Sequence, residues 1–149
     1  MARKEFVQLM KENVIIVDRL ANRLKCDFSK ISEYSAKHIS VLVRLYLGGR
    51  ALLKDIAQRE FVSVPNLCAT FRNLEHDNLV LRTVDENDRR NTWYEITEAG
   101  SELAKKALTT LGDAVEELYR GLSRDDEDEL VRCMKTMNNI LKKLEVSNA

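Results

Sequence analysis

Apolar side chains recur along the first thirty residues at steps of three and four. Val7, Met10, Val14, Val17, Ala21, Leu24 and Phe28 make a heptad seam, and the spacing predicts one long helix there. The C-terminal third repeats the rhythm, with Leu111, Val115, Leu118 and Leu122 in one run and Leu130, Met134, Met137, Leu141 and Leu144 in another. Between these runs the stretch GLSRDDEDEL supplies a stop and a restart. Gly121 can end a helix, Ser123 can cap the next, and the acids that follow suit a helix N-terminus.

The middle of the chain follows a different rhythm. Residues 35–49 predict a mostly buried helix ending at the Gly48–Gly49 pair. Residues 52–60 predict a short amphipathic helix with Leu52, Leu53, Ile56 and Ala57 on one side. A second short helix is expected over 62–78, capped by Ser63, with Pro65 in its first turn where a missing N–H costs little. Leu67, Phe71 and Leu74 form its inward stripe. Residues 79–84 and 92–97 are rich in β-branched and aromatic side chains and flank a charged loop, which reads as a hairpin. Thr97 and Glu98 open the following helix.

Two short helices, a tight turn and a hairpin describe a winged helix-turn-helix. The fold class is therefore mainly α: a winged helix-turn-helix lobe over 35–97, with long N- and C-terminal dimerisation helices over 1–34 and 98–149, in a single domain. The seams at both ends offer more apolar surface than so small a lobe needs, so a second copy of the chain is the expected cover. A twofold dimer would set the two winged lobes symmetrically about one axis. The alternative is an intrachain bundle that covers its own seams.

Composition removes several other classes. The 149 residues carry 24 basic and 24 acidic side chains, so net charge alone points to no polyanion or membrane partner. The N-terminus lacks the apolar run and small-residue cleavage site of a leader, and no stretch reaches membrane-spanning length, so a cytoplasmic protein is expected. Cys26, Cys68 and Cys133 are scattered, which argues against a disulfide scaffold or a metal cluster and for a reducing compartment. Only His38 and His76 are present, with no phosphate-binding glycine loop or nucleophile motif. An enzyme is not expected, nor a cofactor or a metal.

The stretches FRNLEHDNLVLR (71–82) and DENDRRNTWYEITEAG (85–100) carry a more specific signal. Together with the helix pair upstream they resemble the MarR-type (multiple antibiotic resistance) winged-helix transcription regulators, over essentially the whole chain. The matching residues are Asp85, Asp88, Arg89 and Arg90 of the wing string, then Ile96, Thr97 and Gly100 at the next helix start.

The resemblance implies a homodimeric, sequence-specific DNA-binding regulator, a ligand-responsive repressor acting on a pseudo-palindromic operator. It assigns Arg90 to the minor groove, Asp88 to orienting it, and Arg89 to a phosphate; a planar guanidinium suits the narrow, negative minor groove. A hairpin tip whose charges pair with one another is the alternative. On the second short helix, Pro65, Asn66, Ala69 and Asn73 are the expected major-groove readers, with Ser63, Thr70 and Arg72 positioning the DNA backbone. Relatives bind small, often aromatic or phenolic anions, and His38, Arg44 and Tyr46 are the residues expected at such an effector cleft. Some relatives sense oxidants, but neither Cys26 nor Cys68 matches a sensing position, and both read better as incidental or buried thiols.

This chain departs from the family pattern. Glu60-Phe61 stands at the turn where relatives often have Leu-Gly, Ala69 where a basic residue is common, and Thr70 where an aliphatic one is common. Residues 50–98 hold seven basic and nine acidic side chains, a net charge of minus two. Phosphate neutralisation usually dominates affinity, so modest binding with a shallow salt slope is expected. The rival reading, from a different class, is a winged-helix protein-interaction module with little DNA affinity.

Overall fold

The computed structural model describes residues 2–146 except Lys25, Phe61, Asn87 and Arg90, and of residues 2 and 144–146 the backbone alone. The chain divides into two compact units, Met1–Ala114 and Val115–Ala149.

The first helix, α1 (Ala2–Ala21), stops about nine residues short of where the heptad spacing carries it. Leu24 and Phe28 therefore do not continue its seam. Asp27 offers the backbone a competing local arrangement, its carboxylate accepting the Ser29 N–H at 3.1 Å and capping a single 3-10 turn over Phe28–Lys30. Along α1, Phe6, Val7, Val14, Ile15, Ile16 and Val17 are all exposed, Val14 by 64%.

Helix α2 (Ala36–Gly48) follows from Ser35 and ends where Gly49 adopts φ +73°, a conformation glycine takes at little cost. The chain then forms a two-residue strand, β1 (Ala51–Leu52), before α3 (Leu53–Arg59) and α4 (Val64–His76). Asn78 is the one described non-glycine residue at positive φ, +57°, and turns the chain from α4 into the hairpin. Strands β2 (Val80–Val84) and β3 (Thr92–Ile96) pair antiparallel, with Arg82 opposite Tyr94, and β1 adds to the far side of β3. The sheet order is β1-β3-β2.

The core of this unit joins α2, α3, α4 and the sheet. Val41, Leu42, Leu45, Ile56, Leu67, Phe71, Leu74 and Val80 are essentially sealed from solvent. The Phe71 ring stacks on Tyr94 of β3 with centroids 3.9 Å apart, fixing α4 against the wing.

Helix α5 (Glu98–Tyr119) opens on Thr97, whose hydroxyl accepts the Gly100 N–H at 3.0 Å and donates to the Asn78 carbonyl at 2.8 Å. In the second unit, α6 (Arg124–Val146) opens on Ser123, whose Oγ accepts the Asp126 N–H at 3.2 Å and donates to that residue's carboxylate at 2.6 Å. Both caps fall where the sequence places them. Leu130, Val131, Met134, Met137, Ile140 and Leu141 of α6 are exposed.

Candidate nucleic-acid interface

Helix α4 has two faces of different chemistry. Leu67, Thr70, Phe71 and Leu74 point inward and are buried. Pro65, Asn66, Ala69, Arg72 and Asn73 are exposed, and Cys68 lies half-buried on the flank. Five of the expected DNA-facing side chains thus share one solvent-facing surface. Ser63 occupies the cap position with extended backbone, yet its hydroxyl makes no capping hydrogen bond and stays exposed.

Thr70 corrects the sequence reading. It is only 4% exposed, because a step of three from Leu67 and four to Leu74 sets it on the inward stripe. A side chain sealed there does not reach a phosphate, and its polarity alone had suggested otherwise.

The turn between α3 and α4 is fixed by backbone bonds from Glu60 N–H to the Ile56 carbonyl at 3.0 Å and from Val62 N–H to Ala57 at 3.1 Å. Its position relative to α2 is set by an ion pair between Glu60 and Arg44. At the other end of α4, Asp77 accepts a hydrogen bond from the Tyr34 hydroxyl and contacts His76 Nδ1 at 2.8 Å. Bonds from Tyr34 and His76 hold the Asp77 carboxyl below its usual range. Burial, then the neighbouring carboxylate, pushes Tyr34 up to about 12. Both ends of α4 are therefore tied to the segment running from Tyr34 through α2.

At the wing tip, Asp85, Asp88 and Asn91 are joined by hydrogen bonds. Asp85 N–H donates to the Asn91 carbonyl at 3.0 Å, and Asn91 N–H to the Asp88 carbonyl at 2.8 Å. The Asp85 carboxylate accepts the Asp88 N–H at 3.3 Å, and the Asp88 carboxylate accepts from the Asn91 side chain at 3.4 Å. Lys54 of α3 donates to Asn91 Oδ1 at 3.0 Å, joining the wing to the helix pair. Arg89 is exposed at the tip. Arg90, expected in the minor groove, lies outside the described residues, and so does its expected pairing with Asp88. The sequence reading missed the Lys54–Asn91 link, which no local pattern announces across 37 residues.

The expected effector residues do not converge. A cavity of about 500 Å³ lies beside α2, and Ile39, Val43, Arg44 and Leu47 line it. Arg44 is there as expected; His38 and Tyr46 are not among the lining residues. Successive helical residues turn by about 100°, so His38 lies on another side of α2 from Ile39, Val43 and Leu47. It contacts Ser35 Oγ at 2.7 Å and packs near the Tyr34 ring, and burial, with a smaller push from Lys37, lowers its pKa. Among the described residues no cluster of three or more His, Cys, Asp or Glu side chains could hold a metal. No described helix is long and apolar enough to cross a membrane.

Two short helices joined by a turn, the second with a sealed face and a polar face, beside a two-stranded wing, define a winged helix-turn-helix protein. Residues 34–92 match the model of the MarR family, so the chain is similar to that family of transcription regulators over its helix-turn-helix and wing. It is 26% identical over 107 residues to the HTH-type transcriptional regulator YkoM of Bacillus subtilis, covering 72% of this chain and 70% of that protein. The fold is similar to that of apo MarR from E. coli, with a TM-score of 0.71 at 19% identity over 85% of this chain and 94% of that one. A MarR variant from E. coli in complex with operator DNA gives a TM-score of 0.59, also at 19% identity, over 89% of this chain and 95% of that one.

Proposed function

We propose that this chain binds operator DNA as a homodimer, α4 entering the major groove and the wing the flanking minor groove of each half-site, and represses transcription until a small molecule relieves it. The observation that carries the reading is the split of α4 into an inward stripe and an exposed face bearing Asn66, Ala69, Arg72 and Asn73. An asparagine amide can pair with both edge groups of adenine, and a guanidinium can hold a phosphate. Pro65 adds an apolar contact, and the free Ser63 hydroxyl a backbone donor. At the wing, Arg89 serves a phosphate and Arg90 the minor groove, with Asp88 orienting Arg90. The operator complex of the E. coli relative supports DNA as the partner.

Self-association is supported by the exposed apolar residues of α1 and α6, which a lone chain leaves in water. Effector binding is supported by the cavity beside α2, with Arg44 on its wall as the counter-ion for an anion such as an aromatic carboxylate. A repressor of this kind works in the cytoplasm. The rival reading, a protein-interaction module, rests on the acidic balance of residues 50–98.

Selection of bound fragments from random duplex DNA decides between them. A recovered pseudo-palindrome supports the regulator, and Arg90→Ala then weakens binding about tenfold or more. Recovery of no preferred duplex, or a monomer by sedimentation at micromolar concentration, rejects it.

A further inference from the structure

Two neighbouring cavities share a wall. The larger, about 500 Å³, is lined by aliphatic side chains of α2 together with Leu108 and Leu111 of α5. The smaller, about 180 Å³, is lined by Arg50, Asp55 and Trp93 among others. Arg44, Gly48 and Arg59 line both. An apolar chamber opening onto three arginines and one aspartate suits a molecule with a water-shunning body and one anionic head.

The arginines differ in what already holds them. Arg50 lies over the Trp93 ring, 4.8 Å from its centroid. Arg59 makes no ion pair with any described residue. Arg44 touches Glu60, but the fit is poor: Arg44 Nε and Glu60 Oε1 are both buried, and neither has an aligned hydrogen-bond partner. A buried donor without an acceptor is unfavourable, so an entering carboxylate that accepts from it gains what Glu60 leaves unused.

We propose that Glu60 is an internal counter-anion on Arg44, displaced when a small amphiphilic carboxylate fills the paired cavities, so that occupancy is transmitted to the helix-turn-helix turn. This rests on the regulator reading above. Glu60 caps the C-terminus of α3, and α4 begins four residues later at Val64. Its carboxylate ties that turn to α2. Once a ligand head takes Arg44, the turn loses the tie and α4 gains freedom relative to α2. The ligand shifts the equilibrium because it binds the Glu60-released form better than the paired form. The residue doing this stands where the sequence departs from the family pattern.

Trp93, the single tryptophan of the chain, lines the smaller cavity and reports on it directly. The probe is sodium octanoate, with octanol as the uncharged counterpart, titrated into the full chain while Trp93 emission is followed. Octanoate is expected to give a saturable change and octanol none. Glu60→Gln keeps the side chain's shape and removes its charge. It is expected to bind octanoate about tenfold more tightly, and to bind operator as weakly as octanoate-loaded wild type, with no further response to octanoate. Circular dichroism checks that the variant folds. Equal octanoate affinity in wild type and Glu60→Gln overturns the exchange, as does equal binding of octanol or the lack of any saturable change. Operator binding without octanoate is measured separately, so failure of the DNA-binding reading is recognised on its own.

Discussion

Replacing Gly100 by alanine pits two effects of known size against each other. Gly100 lies in the first turn of α5, where alanine normally favours the helix by up to about 1 kcal/mol. Here a Cβ would fall well inside contact distance of the Leu79 carbonyl oxygen, 3.1 Å from the Leu79 carbonyl carbon and 2.8 Å from Ile96 Cγ1. That carbonyl cannot simply swing away. It accepts the Thr97 N–H at 3.1 Å, while the Leu79 N–H is held by Leu74 at 2.8 Å. Overpacking costs about 1–3 kcal/mol, and losing the Thr97 bond about 1 kcal/mol more. After the helix gain is subtracted, Gly100→Ala loses about 1–3 kcal/mol. Gly112, on the same helix, is the control, since a Cβ there meets nothing within 4 Å, and Gly112→Ala should be neutral or slightly stabilising. Urea unfolding at one fixed protein concentration, followed by Trp93 emission and circular dichroism, measures both. If the two variants shift the midpoint in the same direction, the close approach of α5 to Leu79 is wrong.

The Tyr34–Asp77 bond gives the fold a pH dependence at both extremes. Asp77's lowered pKa gives stability that is present above its ordinary 3.8 and lost as pH falls through the folded value. Tyr34, raised to about 12, contributes fully below pH 10 and loses its contribution as pH rises through 12. Tyr34→Phe should flatten both windows in urea midpoints taken across pH, and an unchanged profile would remove this tie. On the exposed face of α4, Asn73→Ala should cost about 1–3 kcal/mol on a selected operator and relax preference at one base position. Arg72→Ala should weaken all duplexes alike and reduce the salt slope by about one, read by anisotropy at several salt concentrations. Equal losses on specific and random duplex for Asn73→Ala would show that it reads no base.

Much of the architecture is legible from local signals. The β-branched and aromatic residues of 79–84 and 92–97 place the hairpin within a residue of the observed strands, and Ser123 and Thr97 mark their helix starts through hydroxyl caps. The signals fail where a distant partner decides. Ala51 and Leu52 form a strand only because Tyr94 and Trp93 lie opposite. The heptad run is not continued through Leu24 and Phe28: α1 ends at Ala21, and Asp27 caps a separate 3-10 turn. Thr70 reads as a surface residue by type and is a core residue by position. His38 and Tyr46 have suitable chemistry for an anion, but the lining of the cavity depends on α5 as well as on the turn of α2, which composition does not disclose.

The acidic balance of residues 50–98 shows why net charge alone misleads here. The Glu60 carboxylate lies against Arg44, and that of Asp77 against Tyr34 and His76. The Asp85 and Asp88 carboxylates accept hydrogen bonds within the wing turn. Four of the nine acids are therefore engaged in holding the turn, the end of α4 and the wing. The described cations of the segment, Arg50, Lys54, Arg59, Arg72, Arg82 and Arg89, are all exposed. A carboxylate bound to a cation or to backbone N–H groups contributes a dipole to the distant field more than a free charge, and such fields fade within about 10 Å at moderate salt. A phosphate approaching α4 or the wing tip meets the nearest guanidinium before it meets the sum over fifty residues. On the proposed reading, phosphate contacts from such exposed cations add affinity, while sequence preference comes from base contacts and shape.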